Sequence, residues 1–219
     1  LVKVRGGQET IFTADSGMVD GNIAGLYEDS EGLIWMTNTK GVSILHPKTG
    51  EIRNITAKNG LYGSNYYAIE GDEEDNIWIV NSGYGISKYE GAAFTHIQPP
   101  GITGQNNVSC VFVDADQTLW FASRQGLHHF SNEVCTSYDD EYSILNNIDY
   151  ITRAPDGTMW LGTAFGPVQI VGNTIKFYSE AQGLIKGSVS DIEFDDDGRI
   201  WFGGRWGISV VDGDSVYHV

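Results

Sequence analysis

The residues of this chain that could do chemistry stand at nearly fixed offsets from a recurring tryptophan. Shortly after Trp35, Trp78, Trp120, Trp160 and Trp201 come Thr39-Lys40, Gly83-Tyr84, Arg124-Gln125, Ala164-Phe165 and Arg205-Trp206. Lys40, Arg124 and Arg205 can donate to carboxylate or hydroxyl groups, the arginines as two-pronged forks. Tyr84, Phe165 and Trp206 offer flat faces on which a sugar ring can stack. A second set near the starts of the following strands, Asn65, Tyr66, Tyr67, Asn107, Asn147, Asp149 and Tyr150, adds amide, carboxylate and phenol groups that hydrogen-bond hydroxyls. The candidate ligand-binding residues are thus Lys40, Tyr67, Tyr84, Arg124, Asp149, Tyr150, Phe165, Arg205 and Trp206, with Arg205-Trp206 foremost. The structural alternative is that these aromatics only cap a core and the bases are solvated.

Catalytic chemistry finds less support. The histidines, His46, His96, His128, His129 and His218, fall in third and fourth strands or the turns beside them, away from the expected ligand face. His128 stands where Ser43, Ser87 and Ser209 stand in other repeats, so it is the odd residue. No Gly-x-Ser-x-Gly, His-Glu-x-x-His, Walker or Cys-x-x-Cys motif occurs. No catalytic residue, metal ligand or cofactor is assigned. Six residues before each Trp stand Asp29, Asp72, Asp114, Ala154 and Asp195. A carboxylate there can accept the backbone N–H groups of the following turn, the structural role expected in preference to cation binding.

The elements that must position these groups follow from the same repeat. The segments LIWMTNTKG, NIWIVNSGYG, TLWFASRQG, TMWLGTAFG and RIWFGGRWG recur at intervals of about 40 residues, the period of a propeller blade. In the first repeat, Ile23 to Glu28, Leu33 to Thr37, Val42 to Leu45 and Glu51 to Thr56 read as strands, separated by Gly, Pro and Ser turns. Apolar residues on both sides of every Trp require a strand buried on both faces, as in radially stacked sheets. Small residues two positions after Trp, Thr37, Val80, Ala122, Gly162 and Gly203, fit crowding towards an axis. The expected fold is all-β: a β-propeller of four-stranded antiparallel blades, with five full repeats near 22–57, 65–98, 107–138, 147–179 and 188–219, and a half blade near 1–14. One propeller domain spans 1–219. Its terminal pieces do not complement each other, so a partial ring or a piece of a longer one is expected.

A formal charge of −16 disfavours nucleic acid and membrane surfaces as partners. Cys110 and Cys135 fall in the first and last strands of one repeat, about 14 Å apart across a sheet and beyond disulfide reach.

The stretches DSEGLIWMTNTKGVSIL, PDGTMWLGTAFG and DDDGRIWFGGRWGISVV resemble two-component regulator propeller repeats, found in the extracytoplasmic sensor regions of bacterial hybrid two-component proteins. The resemblance covers all five repeats and the half repeat, although WIVNSGYG and WFASRQG depart from its Gly-Thr step. It implies a non-catalytic sensing module outside the cytoplasm, for a small molecule or oligosaccharide, with a protein partner or flanking domains as the alternative. A second propeller group, the streptogramin lyases, has similar Trp repeats but favours Trp-Phe-Thr-Glu, and no repeat here places an acid there, so a lyase-like enzyme is the second alternative.

Overall fold

Each recurring Trp lies in a strand with apolar neighbours on both sides, and in the computed structural model that strand is the second of four in an antiparallel sheet. The structure describes residues 1–81, 85–98, 108–123, 126–132, 134–138, 145, 147–172 and 174–219. A two-stranded sheet, β1 (Val2–Arg5) and β2 (Gln8–Ile11), comes first. Blade 1 is β3 (Gly25–Glu28), β4 (Ile34–Thr37), β5 (Val42–Leu45) and β6 (Ile52–Ile55). Blade 2 is β7 (Tyr66–Gly71), β8 (Ile77–Asn81), β9 (Gly85–Tyr89) and β10 (Phe94–Ile97). Blade 3 is β11 (Val108–Val113), β12 (Leu119–Ser123), β13 (Gly126–Ser131) and β14 (Val134–Tyr138). Blade 4 is β15 (Ile148–Arg153), β16 (Met159–Thr163), β17 (Gly166–Val171) and β18 (Thr174–Phe177). Blade 5 is β19 (Val189–Phe194), β20 (Ile200–Gly204), β21 (Gly207–Asp212) and β22 (Ser215–His218). The fold is therefore all-β, five four-stranded antiparallel propeller blades with a two-stranded partial sheet at the N-terminus, as the repeat predicts.

The chain divides into two compact units, Leu1–Thr118 with Asn132–Val134, and Leu119–Ser131 with Cys135–Val219, so the division falls within blade 3. In the first unit Trp35 is 4% exposed and shares one apolar cluster with Ile44 of its own blade and Ile69, Ile77 and Ile79 of blade 2. In the second, Trp160 packs with Ile192 and Phe202 of blade 5, its ring 5.4 Å from that of Phe202. Trp35 and Trp160 are thus wedges against the inner strands of the next blade. The wedge role is not uniform: Trp120 and Trp201 are only partly buried. Over Trp120 lies His129, with ring centroids 4.4 Å apart, and over Trp201 the Arg199 guanidinium, 5.9 Å from the ring. Two residues on from Trp160 the expected crowding is present, because a Cβ at Gly162 would stand 2.5 Å from the Val189 carbonyl oxygen, whereas at Gly203 the nearest atom would be 3.5 Å away.

Three of the aspartates that stand before a Trp do more than close a turn. Asp29 Oδ1 accepts the Glu31 and Leu33 amides while its Oδ2 accepts the Trp35 indole N–H at 2.7 Å. Asp72 repeats this with Glu74, Asn76 and Trp78, and Asp195 with Asp197, Arg199 and Trp201. One carboxylate therefore ties the turn to the wedge. At Asp195 partial burial alone would raise the pKa, but bonds from Trp201 and Arg199 outweigh it and bring it to about 2. Where Ala154 replaces the acid, Asp156 takes over the turn by accepting the Thr158 amide at 2.9 Å.

The connections into blades 1, 2 and 5 share a device that the strand pattern does not announce. Thr13, Thr56 and Ser179 each begin a one-turn 3-10 helix, ended by Gly17, Gly60 and Gly183 at φ of 101°, 93° and 88°. That left-handed conformation suits glycine. The next residue, Met18, Leu61 or Leu184, is buried. In blades 1 and 5, Ser43 and Ser209 on the third strand accept the Val19 and Ile185 amides, pinning each connection to the blade it enters.

Candidate functional site

The connection into blade 5 also borders a cavity. Between the β16–β17 hairpin and residues 178–187 lies a space of about 220 Å³, lined by Phe165, Pro167, Tyr178, Ser179, Glu180, Leu184, Ile185, Lys186 and Gly187 among others. Pro167, Leu184, Ile185 and Lys186 also line a crevice beside Trp206, Phe202 and Ser209, so the two spaces adjoin. Phe165 and Trp206 are 63% and 69% exposed, large aromatic faces turned to solvent. Trp206 rests on a glycine platform: a Cβ at Gly187 would meet the indole Cδ1 at 2.9 Å, and Gly187 has φ +117°. The Arg205 guanidinium lies 5.3 Å from the Trp206 ring centroid, a cation–π arrangement that holds the fork at the rim. Lys186 Nζ stands 3.9 Å from a Glu180 oxygen, with both side chains well exposed. The second unit therefore brings together Phe165, Arg205 and Trp206 of the predicted residues.

The other predicted residues are distributed differently. In β15 the register shifts between Ile148 and Tyr150, so Asp149 is left unpaired on a bulge. Its carboxyl is exposed at residue level, and burial on one side raises its pKa. Tyr150 packs against the core of blades 4 and 5 instead of pointing to solvent. In the first unit Tyr67 occupies the matching bulge of β7 and is 43% exposed. Lys40 Nζ is 3.8 Å from Asp20 Oδ2, which also accepts the Thr39 hydroxyl at 2.6 Å. Those bonds draw the Asp20 pKa down, the Thr39 hydroxyl contributing most. Tyr84 and Arg124 lie outside the described residues.

Sequence reasoning missed the connector residues Tyr178, Ser179, Glu180 and Lys186. Their signal was present as the parallel strings TADSGM, TAKNGL and SEAQGL at residues 13–18, 56–61 and 179–184.

The histidines settle into structural work. In blade 2, Ser87 Oγ and His96 Nδ1 are 3.0 Å apart, and His96 Nε2 is 3.1 Å from the Gly60 carbonyl oxygen. In blade 5 Ser209 Oγ and His218 Nδ1 are 3.3 Å apart. Blade 3 swaps the order across the same strand pair: His128 on β13 has Nε2 2.7 Å from Ser123 Oγ and Nδ1 2.9 Å from Ser137 Oγ. Its ring is buried and stacked on Phe121. The odd histidine is thus the reciprocal of a Ser–His pair, with both ring nitrogens engaged. Among the described residues no group of three or more His, Cys, Asp or Glu is arranged to hold a metal ion. No helix among them is long and apolar enough to cross a membrane. Neither Cys110 nor Cys135 is in a disulfide, and burial raises the pKa of Cys135.

Comparison with known proteins places these features in context. No curated protein matches the chain by sequence. Among solved structures, the extracellular domain of the hybrid two-component system BT3049 from B. thetaiotaomicron superposes with a TM-score of 0.70 at 18% identity, over 90% of this chain. The chain spans 28% of that domain's length. A streptogramin B lyase superposes with a TM-score of 0.75 at 18% identity, over 97% of this chain and 72% of the lyase. PorZ, a surface component of the type-IX secretion system of Porphyromonas gingivalis, superposes at 0.69 and 12% identity, over 99% of this chain and 35% of PorZ. At these identities the likeness is one of fold. One family model matches by sequence, that of the two component regulator propeller, at residues 183–206, which begin in the connector, run through β19 and β20 and end at Trp206. Residues 183–206 thus match the two-component regulator propeller repeat, and in fold the chain resembles the extracellular domain of a hybrid two-component system.

Proposed function

We propose that this chain is a non-catalytic, ligand-sensing propeller module that acts outside the cytoplasm and takes a carbohydrate fragment at the cavity of its second unit. The observation that supports this most is the pair of exposed aromatic faces, Phe165 and Trp206, on adjoining recesses that both carry Lys186, with Arg205 against the Trp206 ring. Exposed apolar faces gathered at one place and rimmed by polar groups are the pattern of a binding site. A recess of about 220 Å³ accommodates one sugar ring, with the next across Trp206. Ser179, Glu180 and Lys186 supply donors and acceptors for hydroxyls, and the two bases favour an anionic substituent on a chain whose formal charge is −16. An extracellular setting accords with the domain of BT3049, itself an extracellular one.

The test is calorimetric titration with fractionated oligosaccharides, neutral and uronate-containing. Trp206→Ala is expected to weaken binding about 30-fold or more, the loss typical of a central aromatic anchor. Gly187→Ala should weaken it through displacement of the indole, since the new Cβ occupies its place. Unchanged affinity in Trp206→Ala and Arg205→Ala together would remove the site from this cavity.

A further inference from the structure

In blades 1, 2 and 5 the turn before the Trp strand carries a pair of carboxylates, and the three blades treat that pair differently. In blade 5, Arg199 donates from Nε to Asp195 Oδ2 at 2.6 Å and from Nη2 to Asp197 Oδ2 at 2.8 Å, its guanidinium 5.9 Å from the Trp201 ring centroid. In blade 2, Asn76 holds the same place, and its amide donates to Asp72 Oδ2 at 2.9 Å and to Glu74 Oε2 at 3.4 Å. Blade 1 keeps both acids and the Trp at the same offsets, as Asp29, Glu31 and Trp35, but has Leu33 where the donor stands in the other two.

At that place the surface opens into a cleft of about 310 Å³ between blades 1 and 2, lined by Asp29, Glu31, Leu33, Trp35, Asp75 and Tyr89 among others. Its aromatic members adjoin, the Trp35 and Tyr89 ring centroids being 5.6 Å apart. Arg53 also borders the cleft, from β6, but among the described residues no ion pair ties it to these acids. One base against three acids leaves the cleft anionic. Tyr27, which pairs with Trp35, responds to the same field: burial raises the pKa of its phenol, and the charges of Glu70, Asp75, Asp29 and Asp72 raise it further. Glu73 and Glu74, exposed in the turn that holds Asp75, extend the negative surface beyond the cleft.

We propose that this cleft is the docking site for an arginine side chain of a basic protein segment, its guanidinium seated between Asp29 and Glu31 and against Trp35, as Arg199 sits in blade 5. The planar fork of arginine suits two neighbouring carboxylates, and its weakly hydrated face suits an aromatic ring. Asp75 closes the site from blade 2, and Glu73 and Glu74 meet further bases of the same segment. The ligand thus supplies to blade 1 the group that blade 5 carries in its own chain.

The probes are a blocked Gly-Arg-Gly-Arg-Gly peptide, its lysine counterpart and arginine amide, titrated calorimetrically into the whole chain at low salt. The arginine peptide is expected to bind at least about 5-fold more tightly than the lysine peptide. Leu33→Arg should abolish binding, because it installs in the cleft the side chain that blade 5 has. Glu31→Gln with Asp75→Asn should weaken binding about 10-fold. Those two residues are exposed, and asparagine tolerates the φ of 62° at position 75, so Tm should stay within about 2 °C of the parent. Asp212→Asn with Asp214→Asn removes the same charge from exposed positions in blade 5 and should leave binding unchanged. No binding, equal affinity for the arginine and lysine peptides, or equal losses in the two double variants would reduce the effect to the net charge of the chain and overturn the site. Arginine amide bound as tightly as the peptide would overturn the protein segment as its occupant.

Discussion

Trp35→Ala is expected to lower the unfolding free energy by about 3–5 kcal/mol, the range for deleting a large aromatic from a packed interior. The indole is 4% exposed and fills the space between its own strand and Ile69, Ile77 and Ile79 of blade 2. Both walls of that space are hydrogen-bonded sheets, so neither can collapse into the void. The loss is not apolar alone, because Asp29 Oδ2 accepts the Trp35 N–H at 2.7 Å and would be left without that donor. Trp35→Phe separates the two contributions: it keeps most of the apolar contact and loses the bond, and should cost about 1–2 kcal/mol. Trp201→Ala should cost less than Trp35→Ala, since Trp201 is only partly buried although its bond to Asp195 is equally short. Chemical denaturation of the three variants checks this. Equal losses at Trp35 and Trp201 would mean that burial between blades is not what these residues contribute.

That asymmetry marks where the sequence could be read and where it could not. The five Trp strands were legible because three consecutive apolar residues leave no solvent face, and the period fixed the blade. What a single strand pattern cannot convey is whether a neighbouring sheet covers it, so Trp120 and Trp201 looked like Trp35 and differ in burial. The constant six-residue offset of Asp to Trp was visible, but the turn bonds alone were enough to explain an aspartate there. The indole bond needs the twist of the hairpin, which brings the end of one strand over the middle of the next. The connectors were illegible for another reason: a one-turn 3-10 helix carries too few residues for any period, and its signal is a cap, a glycine and one buried Leu or Met.

The candidate site divides along the same line. Phe165, Arg205 and Trp206 were found as positions where the repeats stop agreeing, and a hairpin tip is where such variation is tolerated. Tyr150 was read from its neighbourhood in sequence as a ligand contact, yet the bulge between Ile148 and Tyr150 shifts the alternation. A one-residue shift sends a side chain to the opposite face. Asp149 is exposed and Tyr150 turns to the core for that reason.

Glu70→Gln is expected to abolish a pH dependence of stability that the parent carries between about pH 4.5 and 7. Glu70 lies on β7 opposite Trp78, largely shielded from water, and desolvation pushes its pKa from 4.5 to about 7. The folded state therefore holds its proton where the unfolded chain has already released it. The Glu70 contribution to stability is greatest below pH 4.5, falls as pH rises through this window, and is level above about 7. At about 1.4 kcal/mol per pKa unit, reduced for the side chain's residual contact with solvent, the fall amounts to about 2 kcal/mol. Glutamine keeps the shape and cannot ionise. The variant should match the parent at pH 4 and exceed it by about 2 kcal/mol at pH 8, measured by denaturant titration at each pH. Asp195→Asn should behave in the opposite sense. Despite partial burial, bonds from Trp201 and Arg199 hold that carboxyl at about 2, so its contribution is present above pH 4 and lost as pH falls towards 2. Parallel pH profiles for the parent and Glu70→Gln would show that the Glu70 carboxyl is solvated in the folded protein, and that blades 1 and 2 do not close over it.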